Sequence, residues 1–210
     1  LVLTPDTANP GDGVICTATV TDGAGETDSG TAYVVVGNTD PVMADVTVSP
    51  STGQVGDVLT CTATATDPDG GVPSITYAWS DGSEGDTYTI SDADPVGSEI
   101  VCTATATDAD DGTDVGSASA TVTNSAPTVD TVTVTPESGQ VGDTLTCSAT
   151  ASDEDDDEPT ITYAWSDGSE GETYTISDAD PVGSEIVCTA TATDVYGETG
   201  IGTDSATVTN

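Results

Sequence analysis

Residues 77–108 and 163–194 are the same sequence except at one position, Asp86 in the first and Glu172 in the second. The same offset of 86 residues carries Cys61 onto Cys147 and Cys102 onto Cys188. A period of this length makes the chain a tandem array, and every residue-level reading has to be made within that frame. Loops are copied as faithfully as strands. An enzyme needs one site, whereas a stalk needs many equal units, so the repeat bears first on architecture.

Unit boundaries fall at Asn38-Thr39-Asp40-Pro41 and Asn124-Ser125-Ala126-Pro127, and Asn210 is the next equivalent of Asn38 and Asn124. Residues 40–124 and 126–210 then form two whole units. Residues 1–38 match only the second half of a unit, with Cys16 aligned to Cys102 and Gly30–Asn38 to Gly116–Asn124. The cysteine that Cys16 would pair with lies outside this segment. Two arrangements can supply it. In one, the segment is part of a longer array with the other half upstream. In the other, a neighbouring molecule donates strands and a cysteine. The expectation is the longer array.

The chain has 38 acidic residues and no Lys, Arg or His, for a net charge of −38. No carboxylate has a side-chain cation to pair with, so repulsion must be screened by solvent cations over a Debye length of about 8 Å. Nucleic acid is excluded as a partner, because phosphate neutralisation needs Lys or Arg. Anionic membrane surfaces are excluded by the same argument, and no stretch approaches the ~20 apolar residues of a membrane span. Leu1-Val2-Leu3 lacks the basic flank of a signal peptide. Divalent cations, cationic surfaces and mineral faces remain as partners.

High charge with low hydrophobicity is a disorder signal, but here the acids lie between strictly alternating runs, and alternation is a folding signal. Leu59, Cys61, Ala63 and Ala65 alternate with Thr60, Thr62, Thr64 and Thr66. Ile100, Cys102, Ala104 and Ala106 alternate with Val101, Thr103, Thr105 and Thr107. Each run predicts a strand with one apolar and one Thr-rich face. Ile75, Tyr77 and Trp79 share one side of another strand, and Tyr88 and Ile90 mark a further one. Ala118, Ala120 and Val122 close the unit, with the inward side of that last strand left open by the pattern. Gly-, Asp- and Pro-rich turns separate the strands. No window shows helical periodicity.

Cys61 and Cys102, like Cys147 and Cys188, stand 41 residues apart. Regular pairs in a repeat imply disulfides and an oxidising, extracellular setting. A thiolate metal site is the poorer reading, since each unit offers two sulfurs, no His and no CxxC.

About seven short strands per unit, with Cys, Trp and Cys in that order, predict a two-sheet sandwich. The pattern Cys61…Trp79…Cys102 resembles the immunoglobulin-like fold, and the junctions and the Tyr77–Ser83 segment resemble tandem Ig-like, PKD-like and cadherin-like repeats of bacterial surface proteins. The resemblance implies an all-β chain of tandem sandwiches. Each would carry one disulfide between strands B and F, with the Trp of strand C packed on it. It also implies an extracellular or cell-surface location. One departure is clear: Ile100 stands where an antibody-type domain has its corner tyrosine.

The acidic loops are the candidate metal ligands. They comprise Asp67 and Asp69 after strand B, with Asp153, Asp155 and Asp157 as counterparts, Asp108, Asp110 and Asp111 after strand F, and Asp92 and Asp94 at the other end. Oxygen-only ligands at this density suit Ca²⁺, and cadherin-like repeats hold it at such junctions. Against this, Asp and Gly are ordinary turn formers, no EF-hand loop is present, and the DPDGG of one unit is DEDDDE in the next. No cofactor is required for the fold as read. Thr62, Thr64, Thr103 and Thr105 are candidate O-glycosylation sites on outward faces; ice binding is disfavoured because such sheets twist. There is no N-x-[ST] sequon.

Catalysis has little support, with no His base and no Lys nucleophile. The function expected is structural: an extracellular stalk or filament whose partners are adjacent copies of the same repeat, as a homopolymer or by lateral association. The alternative is a Ca²⁺-dependent adhesin or carbohydrate-binding module, for which Tyr33 and Tyr196 are the aromatics left outside the core.

Overall fold

The computed structural model describes residues 2–155 and 157–210, and every described element is a strand. The opening segment forms a hairpin of β1 (Gly13–Thr21) and β2 (Thr27–Val35). Seven strands follow: β3 (Val42–Ser49), β4 (Thr52–Gly53), β5 (Val58–Thr66), β6 (Ser74–Trp79), β7 (Thr87–Thr89), β8 (Glu99–Thr107) and β9 (Thr113–Val122). The same seven recur as β10 (Thr128–Thr135), β11 (Ser138–Gly139), β12 (Thr144–Ser152), β13 (Thr160–Trp165), β14 (Thr173–Thr175), β15 (Glu185–Thr193) and β16 (Thr199–Val208).

Each set of seven makes two sheets, ordered β3-β5-β7 and β4-β9-β8-β6, then β10-β12-β14 and β11-β16-β15-β13. The short β11 joins β16 in parallel, while the long pairings are antiparallel. In immunoglobulin terms the sheets are ABE and A′GFC, so the all-β tandem Ig-like sandwich is the fold. Both first strands carry a register shift at the same place, between Met43 and Asp45 and between Val129 and Thr131.

By backbone proximity the chain divides into two compact units. One holds the chain up to Thr52 with Val58–Thr89 and Glu99–Thr121; the other holds Gly53–Asp57, Ile90–Ser98 and Val122–Asn210.

The core follows the alternation. In the second unit Val134, Leu145, Cys147, Trp165, Tyr174, Ile176, Ile186, Cys188, Ala206 and Val208 form one buried cluster. Disulfides Cys61–Cys102 and Cys147–Cys188 tie the B strand of one sheet to the F strand of the other. Trp79 stands in register with Cys102, and Trp165 with Cys188. Their indole N–H groups donate to the carbonyls of Gly85 and Gly171, both at 2.9 Å, so the largest apolar side chains are buried with no orphaned donor. Each Trp also tilts against a Tyr ring, Tyr88 or Tyr174, at 5.4 Å. The strand whose inward side the pattern left open, β9, buries Ala120 and Val122.

Candidate functional site: the clamped linkers

A chain without side-chain cations has to satisfy its carboxylates otherwise, and the structure does so with backbone and amide N–H groups. Asp67 accepts from the N–H of Asp69 at 2.8 Å, and Asp153 from that of Asp155 at 2.9 Å. Asp108 accepts from the N–H groups of Asp110 (2.9 Å) and Gly112 (2.7 Å), folding the loop after β8 into a tight turn. These are the Asx turns that Asp favours on geometric grounds.

The same loops reach the linkers. Asn38 Nδ2 donates to Asp108 at 3.0 Å, and the N–H of Thr39 donates to Asp69. At the next linker Asn124 Nδ2 donates to Asp194 at 2.8 Å and to Glu198 at 3.1 Å, and the N–H of Ser125 donates to Asp155. The Asn–Asp contact and the backbone N–H to Asp contact recur at the repeat offset, whereas Glu198 has Gly112 as its counterpart and its contact is particular to the second linker. The carbonyl of Asn124 accepts from the side-chain amide of Gln54, and that of Asn210 from Gln140. Asn124 therefore works with two arms, carbonyl and carboxamide.

Asp194 is 7 % exposed. Burial works against its charge, but Asn124 and the N–H groups of Glu198, Gly197 and Tyr196 outweigh it and hold the carboxyl below its usual value. Asp108 is lowered chiefly by Asn38, with burial opposing and the N–H groups of Gly112 and Asp110 adding to it. Asp114 is lowered by the N–H groups of Met43 and Val115.

Of the candidate metal ligands, the structure brings Asp67, Asp69, Asp108 and Asp110 to one end of the first complete sandwich. An open cleft of about 460 Å³ there is lined by Asp6, Asp67, Asp69, Asp110 and neighbouring Pro and Gly residues. Asp111, in the same turn, adopts a left-handed backbone with φ of 67°. Asp92 and Asp94 follow β7, whose Thr89 pairs with Val58 at the opposite end of β5 from Asp67. Asp94 accepts from Ser91 in a local turn. Asp153, Asp155 and Asp157 share the loop after β12, and Asp156 of that run lies outside the described residues. Among the described residues no three acidic or other ligating side chains are arranged to hold a metal ion. Asn124 Oδ1 and Asp153 Oδ2 are nevertheless buried without a hydrogen-bond donor.

Thr62 and Thr64 lie exposed on β5, and Thr103 and Thr105 are half-buried on β8. Tyr33 and Tyr196 are 66 % and 56 % exposed. Sequence reasoning marked Asn38, Asn124 and Asn210 as boundaries but missed Gln54, Asp194 and Glu198 as partners of Asn124 and Gln140 as partner of Asn210. The signal was present for the glutamines, which sit one repeat apart with the chain's asparagine spacing. Asp204 was missed as well: it accepts from the N–H of buried Val134 at 2.7 Å, inside the third repeat.

No family model and no curated protein matches the chain. Among solved structures it is similar to the insect immune protein hemolin (14 % identity, TM-score 0.46, 93 % of this chain and 55 % of hemolin's). It is also similar to the N-terminal eight Ig domains of the Down syndrome cell adhesion molecule (16 %, 0.44, 100 % and 29 %). A third is the three N-terminal domains of the bacteriophage RB49 highly immunogenic outer capsid protein (14 %, 0.38, 96 % and 95 %). At these values the likeness assigns no function to this chain.

Proposed function

We propose that this chain is a non-catalytic, extracellular spacer, a disulfide-clamped array of Ig-like repeats that extends a stalk or builds a filament. The observation that carries the reading is the recurrence of the linker clamp. Asn38–Asp108 and Thr39–Asp69 reappear one repeat later as Asn124–Asp194 and Ser125–Asp155. A spacer gains from equal linkers, because its length then scales with copy number. The disulfides support an oxidising compartment, and no helix among the described residues is long and apolar enough to cross a membrane. Small-angle scattering on chains with one, two, three and four copies of residues 40–124 tests the reading. A constant increase in maximum dimension per added copy is expected, and a dimension that stops growing contradicts it.

Calcium is a second reading, favoured by the two buried acceptors without donors, Asn124 Oδ1 and Asp153 Oδ2, which a cation would satisfy. It would make the array a Ca²⁺-dependent adhesin. Titration calorimetry with Ca²⁺ against Na⁺ at matched ionic strength separates this from screening. Saturable heat with a raised melting temperature supports a specific site; equal responses to both salts remove it.

A further inference from the structure

The hairpin β1–β2 carries a core-type face that is largely open: Val14 and Val36 at its base are half-buried, while Cys16, Ala18, Val20, Ala32 and Val34 are exposed. Its register, Cys16 opposite Ala32 and Ala18 opposite Gly30, is that of Cys102 opposite Ala118 and Ala104 opposite Gly116. The turn leading into it is also the same. The N–H of Gly11 donates to the carbonyl of Val36, and that of Val36 to Asp12, as Gly97 donates to Val122 and Val122 to Ser98. In the complete repeats the inward residues of this arm are sealed: Ile100, Cys102, Ala104, Ala106, Ala120 and Val122 are each 5 % exposed or less. In the hairpin, the corresponding Val20 and Val34 are 68 % and 59 % exposed, and Cys16 is free and exposed.

Gly30 adds an independent mark. A Cβ on Gly116 would meet Val46 at 2.7 Å and Met43 at 2.9 Å, and one on Gly202 would meet Val129 and Val132 at 2.7 and 2.8 Å. Glycine is needed there because the first strand of the repeat crosses it. At Gly30 the same Cβ would meet nothing within 4 Å. The residue is shaped for a strand that the described chain does not place there.

We propose that the β1–β2 hairpin is an acceptor face for a front half-repeat with the residue pattern of 40–86, carried ahead of Val2 in the same polypeptide, and that Cys16 is bonded to its strand-B cysteine. The proposal rests on the reading of the chain as an array of disulfide-clamped sandwiches. The complete repeats favour this source, since in both of them the front-half strands, β3–β6 and β10–β13, precede the Cys-bearing arm, β8–β9 and β15–β16, in the same polypeptide. A second copy of this chain has both of its front halves already bonded to their own arms. In the bonding step two thiols lose two protons and two electrons to a small-molecule disulfide, which is reduced to two thiols.

The test fuses a second copy of residues 40–86 directly ahead of Leu1 in the full chain and refolds it in a glutathione redox buffer. A non-reducing peptide map is expected to show Cys16 linked to the copied Cys61, with alkylation of Cys16 lost. Gly30→Val is expected to leave the unfused chain unchanged and to prevent the new link in the fused one. A Cys16 that stays alkylatable while bonds 61–102 and 147–188 form overturns the proposal without touching the sandwich reading. Loss of those two bonds would instead sink that reading. An unfused chain that forms a Cys16–Cys16 dimer with Val20 and Val34 protected from hydrogen exchange also overturns it, by assigning the face to a second copy. Should the fused chain not fold, a peptide of residues 40–86 added to the full chain reads the same point: a mixed disulfide at Cys16 supports the proposal and its absence overturns it.

Discussion

Asn124 and Asp194 show how a polyanion without side-chain cations holds itself together. The carboxylate takes N–H donors from Asn124, Tyr196 and Glu198 instead of an ammonium, and such charge-assisted bonds are stronger than neutral ones. Asp194 has its folded pKa below the ordinary 3.8. Its contribution is therefore whole above that value and is lost as pH falls through the lower folded one. The Asn124 carboxamide resonances are expected to stay fixed from neutral pH down to the ordinary carboxylate range and to move only below it. Movement at higher pH would show that the clamp is not formed in solution. Asp194→Ala should lower the melting temperature of the third repeat by a few degrees while leaving the Cys61–Cys102 repeat unchanged in calorimetry. The buried cysteines carry more. Replacing Cys147 and Cys188 together by Ala removes a cross-link over 41 residues, and denaturant titration should show a loss of about 4 kcal/mol.

At the level of strands, the sequence was legible wherever period 2 was strict. β5, β8, β12 and β15 are written as Cys-x-Ala-x-Ala runs; the structure buries the Cys of all four and the Ala of β8 and β15, while the Ala of β5 and β12 are half-buried. The last strand was not legible, because Gly116, Ala118 and Ala120 alternate with Ser117 and Ser119, and small residues on both sides give no contrast in hydropathy. Its inward side is fixed by packing, through the close approach at Gly116 and Gly202. The linker clamp was illegible for a different reason. Asn124 and Asp194 are 70 residues apart, and no local pattern encodes a contact at that distance. Gly202→Val should destabilise the third repeat by about 1–3 kcal/mol through overpacking, measured by chemical denaturation. Trp165→Ala should cost about 3–5 kcal/mol, since Trp165 is 3 % exposed at the centre of its cluster.

For the molecule as a whole, a net charge of −38 with no compensating cation makes folding a contest with self-repulsion. The Debye length shrinks from about 30 Å at 0.01 M salt to about 3 Å at 1 M. The melting temperature should therefore rise steadily with NaCl over that range, and a flat profile would mean that the charges are already neutralised by bound ions. The central claim is that each repeat is a sandwich whose disulfide limits its extension under load. Single-molecule force spectroscopy under constant load tests it most directly. In oxidising buffer each unfolding step should stop at the disulfide. Dithiothreitol added under load should then release a second step of about 130–140 Å, from 41 residues at roughly 3.4 Å each. Unfolding steps that are identical with and without reductant, with no second release, would contradict it.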